Sequence, residues 1–150
     1  MSSPPGRVAL VVVGNPEVAD AIYNALVRDK LAREVITTPD GREALDYLLG
    51  RGVYSGADSR DMPCVLLVDV ALPGGEALQL LGELRAHERT KLLPIAVFSS
   101  SEERKEEAGI VYSLGANSYL GKTPWSESFA ESLRLFAQYW FVLNEPPPAL

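Results

Sequence analysis

The sequence predicts an α/β domain in which one parallel sheet of five strands lies between two layers of helices. Runs of β-branched and other apolar residues alternate with helical patterns along the 150 residues. The runs at 8–13 and 64–68 are apolar at every position instead of every second one, which is typical of strands buried on both faces. Repeated strand–helix units imply right-handed crossovers and hence a doubly wound, three-layer domain.

Local signals justify the individual elements. Asn15 is a preferred N-cap and Pro16 suits the first helical position, so the first helix has a defined start. The turn at 39–41 leads into the second helix, and Gly109 weakens the fourth. The predicted strands cover 8–13, 35–38, 64–69, 94–98 and 118–120, and the predicted helices cover 15–26, 41–49, 76–89, 102–114 and 126–143.

Composition limits the domain count, the compartment and the partners. We expect one domain at 7–143, between a disordered segment at 1–6 and a Pro-rich tail at 144–150, with no second domain. The net charge of -6 and the lack of a basic stripe argue against nucleic-acid binding. No apolar run approaches the roughly 18 residues that span a bilayer, and no signal peptide is evident, so we expect a cytoplasmic protein that does not bind membranes. Cys64 is the one cysteine, and we expect it to be a buried thiol.

Polar side chains meet at the carboxyl edge of the predicted sheet. Asp69 ends the third strand, Ser99 or Ser100 follows the fourth, and Lys122 follows the fifth. Ligands of open α/β sheets bind at this edge. An aspartate there can accept a phosphoryl group, while a hydroxyl and a lysine bind its oxygens. Nothing else at the edge offers a base or a nucleophile, so we do not expect an enzyme with catalytic turnover.

The chain resembles the receiver domains of two-component response regulators over about 8–143. The matching segments are 39–45, 69–74 and 115–120, together with Pro94 and Lys122. The resemblance implies a CheY-like, flavodoxin-like sheet in the order 2-1-3-4-5. The long loop before the third strand and the ending at 139–148 are similar to the stand-alone regulators that partner phytochrome-type histidine kinases.

This resemblance also implies roles for single residues. Asp69 matches the phosphoacceptor, Lys122 the lysine that contacts the phosphate, and Tyr119 the aromatic switch. The distance from Pro94 makes Ser99 the switch hydroxyl, and we expect Ser99, although counting back from Gly115 favours Ser100. The implied partners are a sensor histidine kinase, of bacteriophytochrome type, and a second copy of the chain. The homodimer would form through helix 4, strand 5, helix 5 and the C-terminal tail.

Two features depart from the receiver pattern. Val13 and Gly14 stand where receivers carry two acids that bind Mg²⁺ together with the phosphoacceptor. The remaining ligands, Asp69 and the carbonyl of Ala71, predict that Mg²⁺ binds weakly or not at all. An ion pair between Asp69 and Lys122 is then expected to persist without metal. In addition, Thr123 is inserted before Pro124, and Trp125 follows, which departs from the family's Lys-Pro pair.

Two functions therefore remain open from the sequence. The first is a phosphorelay switch in which a histidine kinase phosphorylates Asp69. The second is a phosphorylation-independent pseudo-receiver that acts as a protein–protein interaction module. The set of Asp69, Ser99 and Lys122 favours the first, whereas Val13 and Gly14 favour the second.

Overall fold

Five parallel strands form one sheet in the order β2-β1-β3-β4-β5, which confirms the predicted fold. The structure is a computed structural model that describes residues 7–55, 62–101 and 107–148. The strands are β1 (Arg7–Val12), β2 (Ala32–Thr38), β3 (Val65–Asp69), β4 (Ile95–Phe98) and β5 (Ser118–Tyr119). The helices are α1 (Pro16–Val27), α2 (Gly41–Leu49), α3 (Glu76–Ala86), α4 (Glu107–Ser113) and α5 (Phe129–Gln138), and a π-helical turn (Tyr139–Leu143) follows α5.

The helices cover both faces of the sheet because the central strands bury side chains on each side. In β1, Ala9 and Val11 pack with α1 and α5, whereas Leu10 and Val12 pack with the helices of the other face. That second face is covered by α2, α3 and α4. All of these β1 residues are fully buried. The strands are therefore apolar at every position because helices cover both of their faces, as predicted.

Helix α1 begins as its sequence predicts. The side-chain oxygen of Asn15 accepts hydrogen bonds from the backbone N–H of Glu17 (2.8 Å) and of Val18 (3.3 Å), and Pro16 follows the cap. This pairing satisfies N–H groups that the first helical turn leaves free. It also fixes the direction in which the chain leaves the end of β1, beside the carboxyl edge of the sheet.

Several predicted boundaries need correction. Helix α3 ends at Ala86 instead of 89, and α5 begins at Phe129 instead of 126 and widens into the π-helical turn. Strand β2 begins at Ala32 instead of 35. The predicted disordered segment 1–6 and the predicted helical residues 102–106 lie outside the described residues.

Cys64 immediately precedes β3 and is buried, as predicted. Its Sγ donates to the carbonyl of Trp140 at 3.6 Å. Burial raises the pKa of this thiol to about 11, so the thiolate is scarce near neutral pH. Within the described ranges, no helix is both long and apolar enough to span a membrane.

Candidate functional site

The carboxyl ends of β1, β3 and β4 form the candidate site. Val12 lies beside Val68 across the β1–β3 pair, and Asp69 lies beside Phe98 across the β3–β4 pair. The backbone N–H of Val70 then donates to the carbonyl of Phe98 at 2.9 Å. Because the strands are parallel and in this register, the residues that follow them reach the same edge of the sheet.

Asp69 is buried in this edge, with 3% of its surface exposed. One carboxylate oxygen, Oδ1, accepts from the backbone N–H of Ala71 (2.9 Å) and of Ser100 (3.0 Å). The other, Oδ2, accepts from the hydroxyl of Ser100 at 2.5 Å. Hydrogen bonds to an ionised carboxylate are short and strong. Both oxygens of Asp69 are therefore occupied by donors from the protein itself.

The hydroxyl that bonds to Asp69 belongs to Ser100 and not to Ser99, where we expected it, and the switch role of either serine stays a prediction. Strand β4 ends at Phe98, so Ser99 still lies in the buried layer and is fully buried. Its hydroxyl donates to the carbonyl of Ser101 (3.3 Å) and accepts from the N–H of Ser101 (3.2 Å). The N–H and the hydroxyl of Ser100 are the groups of this loop that donate to Asp69. The count back from Gly115 was the sequence signal that identified Ser100.

The expected ion pair between Asp69 and Lys122 does not form. Lys122 is exposed, and within the described part of the chain no ion pair joins it to Asp69. Ser100 and Ala71 already satisfy the carboxylate, and a lysine would lose hydration to reach a group that is almost fully buried. The described peptide bonds of this loop and of the rest of the molecule are all trans.

Trp125 contacts the site in a way that the sequence did not predict. Its indole Nε1–H donates to the carbonyl of Ser100 at 2.8 Å. The inserted Thr123 was the only signal in the sequence, because it lengthens the loop between β5 and α5. A pattern of residue types does not reveal where the indole would lie.

Tyr119 is partly buried and packs against the core of the α2/α3/α4 face. Its hydroxyl donates to Oε2 of Glu107 at 2.6 Å. Glu107 lies on α4. The aromatic ring of β5 is therefore tied to the neighbouring helix.

The residues at this edge do not fit a magnesium site. Val13 is buried in the apolar core with α1 and α5, and Gly14 has no side chain to coordinate a cation. Asp69 is the remaining carboxylate, and both of its oxygens accept hydrogen bonds. In the described residues, no three His, Cys, Asp or Glu side chains converge as metal ligands. Mg²⁺ requires an oxygen set with near-octahedral geometry, which the described residues of this edge do not provide.

Comparisons with known proteins agree with this architecture, although no family model matches the sequence. Response regulator Rcp1 of Synechocystis sp. is 24% identical over 148 residues, which cover 99% of this chain and 97% of Rcp1. The phosphorylated cyanobacterial phytochrome response regulator RcpA has a TM-score of 0.84 and 25% identity, with 96% of this chain and 100% of RcpA covered. The bacteriophytochrome response regulator RtBRR has a TM-score of 0.73 and 31% identity, with 96% of this chain and 86% of RtBRR covered.

Proposed function

Since the chain belongs to the response-regulator receiver family, close to its phytochrome-associated members, we propose that it signals by protein–protein contact and does not depend on metal-assisted phosphorylation of Asp69. The observation that carries this proposal is the hydrogen bonding of Asp69. Ala71 and Ser100 supply three donors to its two oxygens. Asp69 is thus held in one state by its neighbours.

The chemistry of phosphoryl transfer supports the same proposal. The transferred group carries negative charge on its oxygens, and receivers offset that charge with a bound cation and a lysine. Here Val13 and Gly14 supply no carboxylate for a cation, and Lys122 is exposed and unpaired with Asp69. A phosphodonor would therefore meet a carboxylate that is buried and already hydrogen-bonded.

The two residues in the switch positions also have partners. Ser100 donates to Asp69, and the hydroxyl of Tyr119 donates to Glu107. Moving either side chain would break a hydrogen bond at a partly buried place, where an unsatisfied polar group costs about 1–3 kcal/mol. These contacts support one stable conformation of the signalling surface.

The partner that we propose is a sensor histidine kinase of the phytochrome type. The support comes from relatives: RcpA is a cyanobacterial phytochrome response regulator, and RtBRR is a bacteriophytochrome response regulator. We also propose that the chain has no catalytic turnover of its own, because in the described residues the hydrogen-bond partners of Asp69 are Ala71 and Ser100, neither of which is a base.

We further propose that the chain forms a homodimer through α4, β5 and α5. Five exposed apolar side chains support this surface: Ile110, Tyr112, Leu135, Tyr139 and Val142, each with 47–56% of its surface exposed. Two of them, Leu135 and Tyr139, line a groove of about 740 Å³ between β5, α5 and the C-terminal tail (144–148). Large apolar patches of this kind are rarely left open to water.

A phosphorelay switch is the second candidate function. It is favoured by the position of Asp69 at the carboxyl end of β3 with a serine hydroxyl 2.5 Å away. RcpA, which shares the fold, is a phosphorylated response regulator. In this alternative, a phosphodonor would displace Ser100 and Ala71 from the carboxylate before the phosphoryl group is transferred.

Incubation with acetyl phosphate and Mg²⁺, followed by intact-mass spectrometry, separates the two functions. We expect no increment of one phosphate in the wild-type chain, because both oxygens of Asp69 accept hydrogen bonds and Val13 and Gly14 supply no carboxylate for Mg²⁺. RcpA treated in parallel provides the positive control for the phosphodonor. An increment that appears in the wild type and disappears in Asp69→Asn would overturn the proposal and establish the phosphorelay switch.

A further inference from the structure

Trp125 approaches the Asp69 site from a loop that the proposed function leaves without a role. A turn presents the residue: the N–H of Ser126 donates to the carbonyl of Thr123 at 3.0 Å, and Pro124 takes the second position. Proline favours that position because its fixed φ suits the turn. The indole then reaches the loop that follows β4 and donates to Ser100. Because an indole N–H can only donate, the contact fixes the orientation of the ring.

Ser100 is consequently held on two sides. Its N–H and its hydroxyl donate to Asp69, and its carbonyl accepts from Trp125. Every polar group of this residue has a partner inside the protein. Displacement of the Ser100 backbone from Asp69 would therefore also move the carbonyl that Trp125 binds.

The two sides differ in their exposure to water. Asp69 is 3% exposed, whereas Trp125 is 53% exposed. The bonds to Asp69 are charge-assisted and buried, which makes them strong. The bond from Trp125 joins two neutral groups where water competes, which makes its net contribution small. Opening of the site is therefore expected to begin at Trp125.

We propose that Trp125 is a latch: its indole holds Ser100 on Asp69, and release of the indole is the step that frees the Asp69 carboxylate. The inference rests on the proposed function, in which Asp69 is kept in one hydrogen-bonded state, and it names the contact that maintains that state. Because the ring is half exposed, a protein that binds this edge can displace it without unfolding the core.

Amide hydrogen exchange measured by NMR on the full chain tests the latch. The variant Trp125→Phe keeps an aromatic ring and removes the donor. We expect the N–H of Ser100 to exchange roughly 3- to 10-fold faster than in the wild type, as the loss of one hydrogen bond of ordinary strength implies. The N–H of Leu10, in the middle of β1, reports global opening and should not change.

A matched control uses the second tryptophan of the chain. Trp140 packs against Phe136 and Tyr139, away from Ser100. After correction by the Leu10 rate, Trp140→Phe should leave the Ser100 rate unchanged. An unchanged Ser100 rate in Trp125→Phe would overturn the latch, as would an equal acceleration in both variants.

The same variants distinguish failure of the latch from failure of the proposed function. Phosphate uptake by the wild type would overturn the proposed function only, because the exchange rates are measured without any phosphodonor. Unchanged exchange in Trp125→Phe together with no phosphate uptake would overturn the latch only.

Discussion

At the scale of single residues, the described hydrogen bonds of the Arg85 guanidinium go to carbonyl and amide oxygens and not to a carboxylate. Its guanidinium, on α3, donates to the carbonyl of Gly115 (2.7 and 3.0 Å), to that of Leu93 (2.7 Å) and to Oδ1 of Asn117 (3.1 Å). Asn117 also accepts from the N–H of Ile95 at 2.7 Å. Burial lowers the pKa of the Arg85 guanidinium. Arg85 thereby ties α3 to the loops that precede β4 and β5.

Gly115 is expected to tolerate no side chain. Its φ of 103° lies in the left-handed region, and a Cβ would lie 2.7 Å from Cγ and Nε of Arg85. Arg85 cannot yield easily, because its guanidinium is held by several carbonyls. We predict that Gly115→Ala lowers the free energy of unfolding by about 1–3 kcal/mol. The midpoint and slope of urea unfolding measure the change.

Gly82 provides the control for this substitution. It lies in α3, is exposed, and a Cβ there would meet nothing within 4 Å. Alanine stabilises such a helical position by about 0.5–1 kcal/mol relative to glycine. Opposite changes in Gly82→Ala and Gly115→Ala are expected. A loss of less than the experimental error in Gly115→Ala would show that Arg85 moves aside.

At the scale of elements, sequence patterns located the helices but not their ends. The helical spacing in α3 correctly predicted that Leu80, Leu81 and Leu84 are buried. The helix nevertheless stops at Ala86, and the hydroxyl of Thr90 donates to the carbonyl of Leu84 in its last turn at 2.7 Å. A side chain that competes for a helical carbonyl has no periodic signature.

Helix α5 illustrates the same limit. Its buried residues, which include Phe129, Leu133 and Phe136, follow the predicted spacing. The change to a π-helical turn at Tyr139–Leu143 rotates the following residues relative to an α-helix, and spacing alone does not reveal where that change occurs. In this turn Phe141 is buried, whereas Val142 and Leu143 are 56% and 74% exposed.

This exposed face leads to a prediction about assembly. If α4, β5 and α5 bury their apolar side chains in a homodimer, Leu135→Glu combined with Val142→Lys should weaken association at least tenfold, since charges are depleted at the centre of interfaces. Light scattering coupled to size-exclusion chromatography, over a range of concentrations, measures the molecular mass. Val53→Lys is the control, because Val53 is 90% exposed and lies on a turn after α2. A monomeric wild type would contradict the prediction.

At the scale of the whole molecule, the sequence predicted which strand ends meet but not which atoms touch. Parallel topology follows from the apolar runs, and it places Asp69 at the carboxyl edge of the sheet. Strand β4 ends at Phe98 as predicted, so the choice between Ser99 and Ser100 depends on the conformation of the loop that follows, in which the Ser99 hydroxyl bonds to Ser101. The position of Lys122 depends on the conformation of a loop. Both depend on hydrogen bonds between segments that are distant in sequence, and residue patterns do not encode those bonds directly.

The electrostatics of the same edge decide whether the molecule can hold a cation. Among the described residues, Asp69 is the carboxylate of this edge, since β1 ends at Val12 and is followed by Val13 and Gly14. The two positions differ in the space around them. A Cβ at Gly14 would make ordinary contacts, 3.5 Å from the carbonyl oxygen of Pro39 and 3.6 Å from Leu72. Val13 is buried among apolar side chains, so a carboxylate there would lose its hydration.

We therefore predict that Gly14→Asp folds and that Val13→Asp loses more than about 2 kcal/mol of unfolding free energy.

Gly14→Asp places a second carboxylate beside Asp69, and Mg²⁺ is often held by one or two carboxylates together with water. In a Mg²⁺ titration followed by the ¹⁵N shifts of Ala71 and Ser100, the variant should saturate in the millimolar range, and the wild type should not saturate. Gly14→Asn, which adds a similar volume without charge, should behave as the wild type. Saturation of the wild type in the same range would mean that Asp69 binds the ion despite its three hydrogen bonds.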